Sequence, residues 1–391
     1  MPVRVHSIVK PELLVWARES IGFQPEGAAK KVGITSDRLA GWESILEAPT
    51  VNQLRTLARV YKRPLAVYYL PEPPRRFDAM RDFRRLPERG TGERSPELNL
   101  SVRRARVRRE VALELTEELG IHVPQIRLNV GDLKNDADRF AEAARRLLRV
   151  EVGEQYGWRD KHKALNNWIA ALERTGALVF QTSDVELAEM RGFSLYEPVL
   201  PVIVANARDS PRGRIFTILH EFAHVLLHAG GLCDLHERSQ PDSEDERIEV
   251  FCNRVAGAIL VPADALRVEL RKAGPQPLRT NLDDSVYRLS RQFSVSQEVV
   301  LRRLLIIGMV SASVYQKKRE EYVRVYEEAK PTEGFASPST MAVRDPGRQF
   351  VRVVVDAYRQ EAITSADLSE FLGVRLKHLP KNEQAVSRAE A

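Results

Sequence analysis

Residues 215–228 read IFTILHEFAHVLLH. No proline or glycine interrupts the run, and it reads as one helix over Ile215–His228. His220 and His224 are four apart, hence one turn apart on one face. Both imidazoles can then reach a single ion at about 2.0–2.1 Å. Glu221 points to an adjacent side, where it can take a proton from water at the ion rather than bind the ion itself. Ile215, Phe216, Ile218, Leu219, Val225, Leu226 and Leu227 make the helix apolar nearly all round, so it is expected to be buried. Two buried histidines need partners, and a metal supplies them.

A catalytic zinc takes three protein ligands and keeps one position open. The third is expected from Glu249, in EVFCN at 249–253, on a helix over Arg247–Leu260 that Pro262 stops. Asn253, one turn on, is expected to hydrogen-bond a ligand histidine. Glu244, Asp245, Glu246, His228, His236 and Cys252 are competing ligands. Glu221 is the expected general base for hydrolysis of a peptide bond, with Zn2+ as cofactor. Arg191, Tyr196 and His236 are open choices for the oxyanion donor. The run Met190–Tyr196 could pair with an extended substrate as an added strand.

Around this helix the period changes. ALVFQT from Ala177, MRGFSLY from Met190 and LPVIVA from Leu200 are β-type runs, and three short strands in sequence favour a small antiparallel sheet. The rest is helical: 97–119, 136–150, 163–175, 284–293, 297–305, 312–329, 348–360 and 366–372. Residues 331–346 read as a loop, and the tail after Pro380 is polar. The fold class is therefore mainly α with a small antiparallel β-sheet (α+β).

The N-terminal stretch is also helical. Gly33 sits in a turn between two helices, and Ser36 stands as an N-cap before DRLAGWE. Helix, turn and helix form a unit whose second helix would enter a major groove of double-stranded DNA, with Thr35, Ser36, Asp37, Arg38 and Trp42 as contacts. Only Arg38 carries positive charge there. Between residues 75 and 109 lie twelve arginines against five acids, while the whole chain of 391 residues carries +6. Such a concentration suits phosphate backbones or a solvated linker equally. The expected organisation is 1–72 helix-turn-helix, 73–96 Arg/Pro-rich linker, 97–279 metal-binding domain and 280–391 helical region.

No apolar run reaches the roughly 18 residues of a membrane span, and no signal peptide is read at the N-terminus. Two cysteines, Cys233 and Cys252, exclude a disulfide scaffold and cysteine-based zinc fingers, and a cytoplasmic home is expected.

Residues 10–70 resemble the XRE (Cro/C1-type) helix-turn-helix, carried by PELLVWARESIGFQPEGAAKKVGITSDRLAGWE and Pro49-Thr50. Residues 163–262 resemble the ImmA/IrrE metallopeptidases in LVFQ, MRGFSLYE, PVIVAN, FTILHEFAHVLLH, GLCD and EVFCNRVAGAILVP. The resemblance implies site-specific zinc proteolysis of a repressor or antitoxin-like protein in a bacterial stress response. By position, His220 and His224 fall on the family's histidine ligands, Glu221 on its base and Glu249 on its acidic ligand. A homodimer is a family expectation for the XRE unit. The alternative is a non-proteolytic DNA-binding regulator or adaptor with a structural or sensory metal site.

Overall fold

The computed structural model describes residues 9–44, 46–74, 81–82, 95–128, 136–228, 231–233, 244–274, 278, 281–328 and 344–373. The expected linker, the loop at 331–346, the polar tail and His236 fall wholly or largely outside them. The chain forms two compact units, one of Met1–Ala79 with Leu86–Arg104, the other of Met80–Arg85 with Ala105–Ala391.

The first unit holds α1 (Pro11–Glu19), α2 (Pro25–Val32), α3 (Ser36–Glu43), α4 (Val51–Val60), a 3-10 turn (Leu65–Tyr69) and the start of α5 (Pro96–Glu118). Prolines open α1 and α2, where a missing N–H costs little. Gly33 ends α2 at φ 80°, a left-handed conformation that glycine adopts freely. Thr35, not Ser36, caps α3: its backbone is extended and its side chain accepts the N–H of Arg38. A capping box between Thr50 and Gln53 starts α4. Leu14, Ala17, Leu39, Trp42, Leu54, Leu57 and Tyr61 fill the core. Arg18 ties α1 to α3 through a two-pronged pair with Glu43, at 2.8 and 3.0 Å.

The second unit contains β1 (Arg81–Asp82), α6 (Ala137–Leu148), α7 (Val152–Tyr156), α8 (Lys161–Arg174), β2 (Leu178–Thr182), β3 (Gly192–Leu195) and β4 (Val202–Asn206). It continues with α9 (Pro211–Leu226), β5 (Gly231–Cys233), α10 (Glu244–Leu260) and α11 (Ala263–Lys272). Helices at Leu282–Gln292, Gln297–Ile306, Ala312–Glu328, Arg348–Arg359 and Ser365–Leu372 complete it. The strand order is β1-β5-β3-β4-β2.

The sheet is mixed rather than antiparallel. β3 and β4 form a hairpin, with Phe193 opposite Val204, but β2 lies on the other edge of β4 and runs parallel to it, Leu178 beside Val202. Residues 183–191 carry the chain past the place of β4, so succession in sequence is not adjacency in the sheet. Parallel pairing goes with strands covered on both faces, and every residue of β2, β3 and β4 is buried. Val179, Ile203 and Ala205 share a core with α8, α9 and α10, while Phe180 meets Phe350 edge-on.

Residues after 280 join that same core. Val286, Leu289, Phe293, Val300, Leu301 and Leu304 cluster with Ile218, Leu219 and Phe222 of α9. A buried polar knot braces the end of α10. Arg145 donates to Gln155, to the carbonyl of Ile259 (2.6 Å) and to that of Val150 (2.9 Å), and Gln155 donates to the carbonyls of Leu260 and Phe293. Each donor finds a backbone acceptor, which is what makes such burial tolerable.

Candidate metal centre

The helix that carries the two histidines starts earlier than its apolar run. Ser210 caps it, accepting the N–H of Gly213 at 3.1 Å, and Pro211 fills its first position. It ends at Leu226, because His228 has turned to φ 58°. The ring of His228 stacks on Tyr196 with 4.5 Å between centroids, and His228 is not part of the group able to hold a metal ion. β3 and β4 pack on α9 on one side, and α8 and α10 also pack against it. His220, Glu221 and His224 are all essentially without solvent exposure.

Glu249, on α10, is brought to both rings. Its Oε2 lies 3.2 Å from His220 Nε2 and its Oε1 3.2 Å from His224 Nε2. The two Nε2 atoms are 3.1 Å apart. Bonds of about 2.0–2.1 Å in a tetrahedron put ligand atoms about 3.3 Å from one another, and one ligand atom from each of the three residues lies within 4.8 Å of the other two, close enough to share an ion. Among the described residues, these three are the group able to hold a metal ion. Burial raises the pKa of Glu249, but His220 and His224 more than offset it and hold the carboxyl at about 2. The ligand is thus ionised at any physiological pH. His220 Nδ1 has no hydrogen-bond partner among the described residues, so no bond on that side orients the ring.

The remaining sequence candidates are not part of this group. Burial, with the charges of Glu249 and Glu221, pushes the Cys252 thiol well above its usual range, and a protonated thiol is a poor ligand. Glu244 and Asp245 are exposed and Glu246 is half-buried at the start of α10, outside the group. Asn253 is buried one turn beyond Glu249, but neither its Oδ1 nor its Nδ2 makes a hydrogen bond, so the expected bond to a histidine is not formed. Arg191 is paired with Asp209 at 3.0 Å. β3 pairs with β4 along its length and with β5 at Gly192 and Phe193, so at these two residues it has no edge left for an added strand.

Two residues of the site were not picked out from the sequence. Ser194 is fully buried on β3, and its Oγ donates to Glu221 Oε2 at 2.9 Å. Gly192, two residues earlier and therefore on the same face of the strand, lies against α9. A Cβ there would meet Thr217 Cγ2 at 2.4 Å, the Val204 carbonyl oxygen at 2.8 Å and Glu221 Oε1 at 3.2 Å. The signal was the small–x–small spacing of Gly192 and Ser194 in an otherwise bulky strand.

Two imidazoles a helical turn apart, a carboxylate from a second helix and a second carboxylate, Glu221, held from the sheet define a metal-site architecture of the His-Glu-x-x-His kind. Residues 173–305 match the family model Peptidase_M78, described as the IrrE N-terminal-like domain, and that stretch contains all of these residues. An 82-residue stretch is 37% identical to the radiation response metalloprotease IrrE of Deinococcus deserti, covering 20% of this chain and 29% of that protein. A stretch of the same length is 32% identical to the radiation response metalloprotease IrrE of Deinococcus radiodurans, covering 20% and 25%. The similarity thus spans less than a third of either relative's length.

Proposed function

We propose that the chain is a zinc-dependent peptidase joined to a DNA-binding helix-turn-helix unit, and that it cuts a repressor or antitoxin-like protein in the bacterial cytoplasm. The observation that carries the peptidase reading is the convergence of His220, His224 and Glu249 on one point, with Glu221 beside them and not among the ligands. Two imidazoles and a carboxylate are a donor set suited to zinc. A bound zinc ion would supply Lewis acidity and lower the pKa of a coordinated water towards about 7.

The chain's own residues do the rest. Glu221 accepts a proton from the attacking water and returns it to the leaving amine. Ser194 holds one carboxylate oxygen by donating to it, which orients the carboxylate for the proton transfer. Gly192 lets β3 lie against this turn of α9, which keeps bulk water from that side of the base. Burial of all three ligands keeps the field at the reacting carbonyl unscreened.

The DNA-binding reading rests on the first unit. Thr35, Ser36, Asp37 and Arg38 are exposed at the start of α3, as a recognition helix requires. Trp42 is not a contact: it is 1% exposed and belongs to the core, with Arg38 lying over its ring at 5.8 Å. Among the described residues, no helix is long and apolar enough to cross a membrane. The experiment that tests the peptidase reading compares the wild type with Glu221→Gln in cells. The variant is expected to keep its metal and to accumulate an uncut helix-turn-helix repressor that the wild type removes. Equal turnover of every such protein in the two strains would refute it.

A further inference from the structure

The first unit contains a second place where buried polar atoms lack partners. Tyr61 Oη, Arg63 Nε, Tyr68 Oη and Arg103 Nη1 are all buried, and none has a hydrogen-bond partner among the described residues. The four belong to one neighbourhood. Tyr61 ends α4 and Arg63 follows it closely. Arg103 comes from α5, and its Nη2 donates to the carbonyls of Lys62 at 2.8 Å and Tyr61 at 3.5 Å. Arg63 donates through Nη2 to Ser20 Oγ at 2.9 Å, and its guanidinium sits 4.3 Å from the centre of the Trp16 ring. Tyr68, from the 3-10 turn, lies within electrostatic reach of both guanidiniums and of Tyr61.

The charges here do not balance. Arg63 and Arg103 repel each other, and neither forms an ion pair with a described carboxylate. The acid that bears on Tyr61 is Glu43, which is already engaged by Arg18 at 2.8 Å. Burial first, and Arg63 second, bring Arg103 down to about 10. Each of the four partnerless atoms can donate a hydrogen bond. All four atoms are therefore donors, and no described acceptor meets any of them.

We propose that Tyr61, Arg63, Tyr68 and Arg103 form a binding site for a small inorganic anion of about the size of chloride. A monatomic ion is favoured because the four atoms are themselves shut off from solvent, although Arg63 and Arg103 are only half-buried as residues. The anion would accept from two guanidiniums and two phenols, and would join α4, the 3-10 turn and α5 through one charge.

The test uses the full chain. Amide hydrogen exchange in Val51–Val60 is followed in sodium chloride and in sodium gluconate of equal ionic strength, gluconate being too large for the site. Exchange is expected to slow saturably in chloride, about tenfold at ten times the half-saturating concentration. Tyr68→Phe, which keeps the ring and removes one donor, is expected to weaken that protection. A crystal grown in bromide should show an anomalous peak among the four side chains. Equal exchange in the two salts, protection undiminished in both Tyr68→Phe and Arg103→Met, or a bromide crystal with only water at the cluster would each overturn the proposal.

Discussion

Ser194 Oγ on β3 donates to Glu221 Oε2 on α9 at 2.9 Å, with both side chains buried. The sheet thus orients an acid that sits next to the two histidines of the candidate metal centre. Ser194→Ala removes the donor and leaves the three ligands in place. A hydrogen bond to a charged group contributes about 1.5–3 kcal/mol. Peptide cleavage by the variant should therefore fall about ten- to a hundredfold with the zinc content unchanged, measured on one defined substrate. An unchanged rate would show that Glu221 needs no support from the sheet.

Gly192 and Gly27 should respond in opposite ways to alanine. At Gly192 the added methyl runs into Thr217 and the Val204 carbonyl, whereas at Gly27, inside α2, nothing lies within 4 Å. Overpacking of this kind costs about 1–3 kcal/mol. Relief of a glycine within a helix is worth about 0.5–1 kcal/mol. Denaturant unfolding should show Gly192→Ala less stable than the wild type and Gly27→Ala slightly more stable. A Gly192→Ala protein of full stability would mean that α9 and β3 do not touch there.

Glu173 gives a pH dependence. On α8, its Oε1 accepts the N–H of Gln349 at 3.2 Å. Burial pushes its carboxyl up to about 7 against the pull of that N–H and of Arg348 and Arg352. The folded state therefore holds the proton more tightly than the unfolded chain, whose value is the ordinary one near 4.5. Between those two values the folded form is the more protonated, so this group's contribution to stability is present below about 4.5 and is lost as pH rises to about 7. Thermal melts from pH 5 to 8 should fall more steeply for the wild type than for Glu173→Gln. Parallel curves would contradict the assignment.

In the first unit, Trp42 and Arg38 separate folding from recognition. Trp42→Ala empties the core and should cost about 3–5 kcal/mol, abolishing DNA binding through unfolding. Arg38→Ala should leave the circular dichroism unchanged, weaken DNA binding and reduce the slope of affinity against salt by about one. DNA affinity that is independent of salt and of Arg38 would leave this unit as a protein-docking module.

The metal helix was legible because a spacing of four and an apolar run are both local properties. Glu249 was legible for a related reason, since a Glu near the start of a buried helix stands out. Strand order was not legible. Nothing local says that β2 crosses to the far side of β4, and without that order the face of β3 that meets α9 is undetermined, which hid Ser194. Trp42 was misread although its spacing from Leu39 already matched a core position. Pro262 follows the end of α10 and is also the N-cap from which α11 starts, a second role that its sequence context does not announce. Asn253 shows the limit of helical spacing: its position one turn from Glu249 was right, and its orientation was decided by packing.

The most direct measurement is metal stoichiometry by elemental analysis of the purified chain, with anomalous diffraction at the zinc edge. One zinc per chain is predicted, positioned among His220, His224 and Glu249, retained in Glu221→Gln and lost in His224→Ala and in Glu249→Ala. A wild-type protein that binds no zinc when supplied with it, or a Glu249→Ala protein that binds it as tightly as the wild type, would contradict the account.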